Sequence, residues 1–301
     1  MRNKCVQMSL EDIYNDVSKS MENQKPALIE LLETHIDFET IIPANFYNAF
    51  YQRHGRSHIY HLESFVRSLV LQKLLGISTD ALLLSILKLS AELREFCGFI
   101  KVPDASQLTR FRANYCEHLK NMFEALVDLT DRICRKINAK KADYLVYDTT
   151  GIELPVAENN PKFFNTKLKE AKKLAKGNPD YDPYRGVYSL LPDASSTNPD
   201  AHQQYINGHF CYALKLGVLT DGLGIPRDTP HWDNLYRHRV VVERTINLMK
   251  DTFVLDSRKS FRSVSAKADT YLCAITQLVG VLLADSIHKL NLFKSLRKLI
   301  A

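Results

Sequence analysis

The stretch "YRHRVVVERTINLMK", Tyr236 to Lys250, sets a phenol, a guanidinium, a carboxylate and an ammonium at steps of three, four and seven. At about 100° per residue, Tyr236, Arg239, Glu243 and Lys250 fall at about 0°, 300°, 340° and 320° around a helix. They share one arc, while Val240, Val241, Ile246 and Leu248 point elsewhere. An acid, two cations and a phenol on one stripe raise the question of a shared ligand. A solvated face laced with i,i+4 ion pairs has the same spacing, so the elements around this helix must decide.

The elements that could position such a stripe come earlier. "ADYLVYDTTGIEL" is apolar and rich in β-formers, breaks at Gly151, and carries Asp148 where its apolar run ends. "INGHFCYALKLGVLTDGLGIP" reads as a second strand region with Phe210, Tyr212, Leu214 and Leu216 on one face. Asp221–Gly222 is a turn, after which "LGIP" begins a strand that stops early. A strand pair opening with "YDTTG" and followed by a Glu-bearing helix outlines an RNase H-like core. Residues 154–207 read as a polar insertion. Within it, "KFFNTKLKEAKKLAKGNP" is a short helix bearing Lys162, Lys167, Lys169, Lys172, Lys173 and Lys176, a solvated face or, beside nucleic-acid chemistry, a set of phosphate contacts. "DASSTNPDAHQQ" reads as loop.

Residues 1–140 read as helices. Leu62, Phe65, Val66, Leu69, Val70 and Leu74 recur at helical spacing up to Gly76. A second helix opens at Ser78–Thr79–Asp80 and ends at Gly98. A third opens at Pro103–Asp104, where Asp104 and Gln107 have capping-box spacing. The break followed by "DASQLTRFR" matches helix-turn-helix punctuation. Gln107, Arg110 and Arg112 stand near the start of the new helix, where recognition helices present base-reading groups; an ordinary helical hairpin gives the same pattern. The helix from about Ser265 to Leu290 is expected to pack on the sheet.

The chain has 301 residues, 45% of them hydrophobic and 25% charged, which describes an ordinary soluble globular protein of up to two domains. A net charge of +6 and a pI near 8.9 suit a polyanionic partner. None of the six cysteines forms a CxxC pair, so the spacing gives no support to a zinc site or redox motif, and the cysteines read as buried thiols in a reducing compartment. The N-terminus lacks the apolar core of a signal peptide, and "AITQLVGVLLA" is too short to span a bilayer. A cytoplasmic protein without membrane partners is expected.

These residues together resemble the DDE transposases of bacterial insertion sequences, in the branch whose third acid lies in a "YREK" signature. Tyr236, Arg239, Glu243 and Lys250 match the signature at every step, and "YLVYDTTGIE" matches the strand of the first catalytic Asp, here Asp148. "SFVRSLVLQKLLGIS", "LREFCGF" and "VPDASQLTRFR" resemble the amino-terminal helical domain, and "KADTYLCAITQLVGVLLAD" the closing helix. The resemblance implies an α+β protein with a helical DNA-binding domain at residues 1–138 and an RNase H-like core at 139–301. It implies Mg²⁺-dependent phosphodiester hydrolysis and strand transfer at terminal inverted repeats of double-stranded DNA. Asp148 and Glu243 would be catalytic metal ligands. Arg239 and Lys250 would hold phosphates, Tyr236 would contact the DNA end, and Gln107, Arg110 and Arg112 would contact DNA.

One part of the family pattern is missing. The second Asp ends a central strand reached through a crossover helix, and only eleven residues lie between Gly224 and Tyr236. A crossover to a parallel strand needs about a dozen residues before the strand is counted. The sequence therefore reads as a transposase with an internal deletion joining "GIP" to "RDTP", holding Mg²⁺ weakly or not at all, with Val146 or Leu216 exposed for want of a neighbouring strand. Asp228 and Asp233 are poor substitutes on a short connector. The alternatives are a non-catalytic DNA-binding remnant that regulates intact copies by competition or as a mixed dimer, and a small intact RNase H-type nuclease. A homodimer is a further possible assembly.

Overall fold

The computed structural model describes residues 26–51, 58–178, 180–206, 208–227, 239–257 and 262–293. Helices come first: α1 (Ala27–His35), α2 (Phe38–Ile41), α3 (Ala44–Phe50), α4 (Leu62–Leu74), α5 (Asp80–Leu89), α6 (Ala91–Cys97), α7 (Ala105–Asn114) and α8 (Cys116–Ala142). Then follow β1 (Leu145–Glu153), α9 (Pro161–Ala175), α10 (Pro183–Gly186), β2 (His202–Ile206), β3 (His209–Asp221), α11 (Arg239–Asn247) and α12 (Ser263–Ser286). The fold is α+β and mainly helical, with one three-stranded antiparallel sheet in the order β1–β3–β2.

Local chemistry sets most of the helix ends. Thr79 caps α5 by accepting from Leu82 N at 3.2 Å. The stretch from Thr79 to Gly98, expected as one helix, divides at Ser90. This residue is extended, and its hydroxyl accepts from Leu93 N at 3.2 Å to cap α6, a local bond that competes with helix continuation. Gly98 ends α6 at φ 70°, the left-handed position where a Cβ is costly. Asp104 stands at the N-cap of α7 but its side chain makes no cap bond, so the expected capping box does not form. The helix it opens stops at Asn114, and α8 starts afresh at Cys116.

The main core is built by these helices together with α12. Leu272, Ile275, Leu278, Val279 and Leu283 are buried among residues of α4 and α8 such as Leu69, Leu119 and Leu126. The sequence led us to expect α12 on the sheet; it packs instead against α8, α4 and α7. The reason is its composition: apolar residues line several sides of the helix, which suits the middle of a bundle better than one face of a small sheet. Among the described residues, α12 is the one helix long and apolar enough to cross a membrane, and 72% of its most apolar window is buried inside the protein. The five described cysteines, Cys97, Cys116, Cys134, Cys211 and Cys273, are buried free thiols, as their apolar surroundings suggested.

The stretch read as polar insertion contributes to the sheet. His202–Ile206, taken from sequence as loop and its margin, pairs with β3 as the edge strand β2. Asn159 fastens the insertion to the sheet: its Nδ2 donates to Leu154 O and Tyr212 O at 2.7 and 2.8 Å, and its Oδ1 accepts from Tyr212 N at 2.7 Å. The hairpin end after β3 closes on Asp221. That wholly buried carboxylate accepts from Leu223 N and Ile225 N at 2.9 Å each and from Arg227 Nη2 at 3.0 Å. The chain then returns for a single bridge, Thr220 to Pro226, and so makes the turn and the brief return strand that were expected.

Candidate functional site

The "YREK" helix lies on the strand that carries Asp148. Val242 and Ile246 of α11 pack on Val146 of β1 and Val218 of β3, forming a small core of their own with Leu216 beside it. Thr245 Oγ1 donates to Gly224 O at 2.8 Å and pins the helix to the hairpin end. Val146 is 1% exposed as a result, so the apolar edge expected there does not exist: the helix covers it. Side chains alternate along a strand, so Asp148 shares the face of Val146, which α11 covers. It stands opposite Val218 in the ladder, and its Oδ1 accepts from Thr149 N at 2.9 Å. Glu243 directly follows Val242 and is exposed.

The regular helical arc does not extend to Lys250. From Leu248 to Thr252 the helix widens into a π turn, which shifts everything beyond it relative to an ideal 3.6-residue repeat. Val254 follows at φ 54°, an uncommon conformation for a β-branched residue. Lys250 Nζ donates to Gly151 O at 2.9 Å and pairs with Asp256 Oδ2 at 3.3 Å, with its side chain only 10% exposed. The lysine therefore ties the end of its own helical segment to β1. Tyr236, Asp228 and Asp233 lie outside the described residues, as does the side chain of Arg239.

The amino-terminal candidates separate by burial. Arg110 is exposed on α7, with Nε and Nη2 donating to Ser106 O and Oγ at 3.2 and 3.1 Å. Gln107 is half-buried. Arg112, expected to contact DNA, points into the protein instead. Its guanidinium donates to Asp80 at 2.8 and 2.9 Å and to Gln72 Oε1 at 2.7 Å, and pairs with Asp269 at 3.0 Å. Burial works against its charge, but the Asp269 and Asp80 carboxylates outweigh that and hold it more firmly protonated than usual. The residue follows Leu108 by four positions and so falls on the buried stripe of α7.

The other face of β1 carries a cluster that the sequence reading did not pick out. His209 Nε2 lies 3.2 Å from Glu153 Oε2, and Cys211 Sγ joins them so that the three donor atoms lie within 4.8 Å of one another. All three line a cavity of roughly 280 Å³, shared with Asn160, Phe164, Asn165, Gln203, Phe210 and Tyr212. Burial, and next the charge of Glu153, push the Cys211 thiol up to about 11. The alternation H-x-C at the start of β3 was the available signal; the register that brings Glu153 alongside was not. Lys162, Lys169, Lys172 and Lys173 of α9 and Lys176 at its C-cap are exposed, while Lys167 pairs with Glu170 at 2.9 Å.

Comparison with known families places a transposase domain, Transposase domain (DUF772), on residues 17–114, the region of α1 to α7. Comparison with curated proteins and with solved structures found no match.

Proposed function

We propose that this chain is a DDE-type transposase of an insertion sequence that binds element-end DNA but does not carry strand transfer through. The observation that carries the reading is the packing of Val242 and Ile246 on Val146 and Val218, in a chain whose first third matches a transposase domain. An acid-bearing helix laid across an acid-bearing strand is the arrangement that phosphoryl transfer on DNA requires, because hard cations that polarise phosphate oxygens are held by carboxylates from adjoining elements.

The donor set here is short of that requirement. Asp148 and Glu243 would supply carboxylate oxygens for one Mg²⁺, held weakly; a two-ion clamp needs more. Among the described residues, no further Asp or Glu shares the sheet face of Asp148, and no parallel strand extends the sheet. This supports the reading of a lost strand between Pro226 and the "YREK" helix. DNA would be held by positive charge, with Arg110 and the lysines of α9 as exposed contacts and Arg239 as a further cation of the signature. A regulatory remnant that competes with intact copies, alone or in mixed dimers, is the consequence of binding without chemistry.

The test begins with the nucleotide sequence around the gene, in which this reading expects inverted repeats, and uses a duplex carrying one of them. The full chain should bind a duplex carrying that end, with log K falling against log salt by about 0.9 per phosphate contact, and should leave the duplex un-nicked in Mg²⁺. Equal affinity for the end and for unrelated duplex, or no binding at low salt, would remove the transposase reading.

A further inference from the structure

We infer that Glu153, His209 and Cys211 form a binding site for a zinc-class divalent cation, with its fourth position open to the adjoining cavity. The site stands apart from the Asp148–Glu243 pair. Five positions separate Asp148 from Glu153, so the two carboxylates leave opposite faces of β1. His209 and Cys211 are alternate residues of β3 and share one face. The register Glu153 to Ala213 puts Glu153 on that same face, one diagonal step from Cys211.

The distances suit a tetrahedral ion. Zinc bonds of about 2.0–2.1 Å to N or O and 2.3 Å to S place neighbouring donors about 3.3–3.6 Å apart. Nε2 of His209 and Oε2 of Glu153 already stand at 3.2 Å, and the thiol needs an approach of about 1.3 Å at most. Two ligands come from one strand and the third from its hydrogen-bonded neighbour, so the ladder itself holds the geometry. A nitrogen, a thiol and a carboxylate make a borderline-soft set that favours Zn²⁺ over Mg²⁺ or Ca²⁺. Lys250 and Asp256 are close enough for their charges to reach Cys211 and Glu153 respectively, and as an ion pair at 3.3 Å they offset one another. Three protein ligands beside a cavity match the open arrangement of zinc sites that keep one position for water or substrate.

Cobalt(II) is the probe, because a cobalt–thiolate bond absorbs in the near ultraviolet. The full chain, cleared of metal with a chelator, should take up one Co²⁺ with a thiolate band, lose the band to one equivalent of Zn²⁺, and keep it in excess Mg²⁺. Loss of an outer-shell partner alone costs about 10–100-fold in metal affinity. Cys211→Ser should therefore abolish the band and weaken Zn²⁺ binding at least tenfold, as should His209→Gln for affinity. Glu153→Gln should weaken uptake while the band remains, a result readable even if Cys211→Ser misfolds by circular dichroism. Cys273→Ser and Asp148→Asn should change neither quantity, which separates this site from the proposed catalytic one. No saturable uptake by the parent chain, or a thiolate band that survives in folded Cys211→Ser, overturns the assignment.

Discussion

Lys250 reaches back across 99 residues to donate to the carbonyl oxygen of Gly151 at 2.9 Å, while pairing with Asp256 at 3.3 Å. The signature lysine thereby joins the widened end of its helical segment to the strand of Asp148. A cation that serves only DNA could be removed without cost to folding, and this one could not. Lys250→Met should lower stability by about 1.5–3 kcal/mol, the usual range for a hydrogen bond to a charged group. Chemical denaturation of parent and variant measures it. Unchanged stability with reduced DNA affinity would show that the ammonium faces phosphate in solution.

Arg110 and Arg112 are two positions apart and should respond in opposite ways. Arg112 is buried between Asp80 and Asp269. Arg112→Ala removes the guanidinium that both carboxylates share, leaving Asp269 to Lys73 at 3.4 Å and Asp80 to Gln72 at 3.1 Å, and should cost about 3 kcal/mol, the low end for breaking a buried ion pair. Arg110→Ala, on the surface, should change stability by no more than about 0.5 kcal/mol. If α7 touches phosphate, Arg110→Ala should also reduce the salt slope of DNA binding by about 0.9. Denaturation curves and a salt titration of the same two variants test both halves.

The contrast shows where the sequence was readable. Apolar spacing marked the helix of Leu62–Leu74, and Thr79 and Gly98 marked true helix ends, because those signals are local; the divisions at Ser90 and Tyr115 were not legible. Arg112 was also readable in principle, since it continues the stripe of Leu108 and Phe111, although a guanidinium is rarely buried without carboxylate partners, which here come from distant residues. The strand of Asp148 and the turn at Asp221 were plain from composition. Edge strand β2 was not, because "HQQYI" lacks an apolar face and is fixed by its ladder to β3. The π turn at Leu248–Thr252 has no local signal. The Glu153–His209 contact joins residues 56 positions apart, which only the register could bring together.

Glu158 offers a pH-dependent test of how the insertion is held. Burial disfavours its charge, but bonds from Ser196 Oγ and N at 2.7 and 2.9 Å and from Ser195 Oγ at 2.7 Å outweigh this and hold the carboxyl down at about 2. A glutamate whose native pKa is depressed stabilises the fold above its ordinary value and loses that contribution as acid protonates it. The stability difference between the parent and Glu158→Gln should therefore be full at neutral pH and shrink as pH falls from 4.5 towards about 2. A difference independent of pH in that window would mean that shape, not charge, anchors Ser195 and Ser196.

The last prediction concerns activity. Asp148 and Glu243 sit on a strand and on the helix that packs against it through Val146, Val218, Val242 and Ile246. If strand transfer is absent, as proposed, a missing strand accounts for it better than a spoiled point residue. Converting Gly224 or Ile225 to Asp should not restore nicking. Ile225 is wholly buried and Gly224 stands at φ 83°, so either change adds a carboxylate where nothing aims it; a misplacement of about 1 Å can already cost a hundredfold. Inserting the strand–helix–strand segment of an intact relative between Pro226 and Arg227 should restore Mg²⁺-dependent nicking of a duplex carrying the element's end, and Asp148→Ala in that chimera should abolish it. Arg227 bonds Asp131 and Asp221 at 2.8 and 3.0 Å, so the graft must leave that residue free to return to its place. Robust nicking by the unmodified 301-residue chain, lost on Asp148→Ala, would instead assign the third carboxylate to another acid, with Asp228 and Asp233 the first to be substituted.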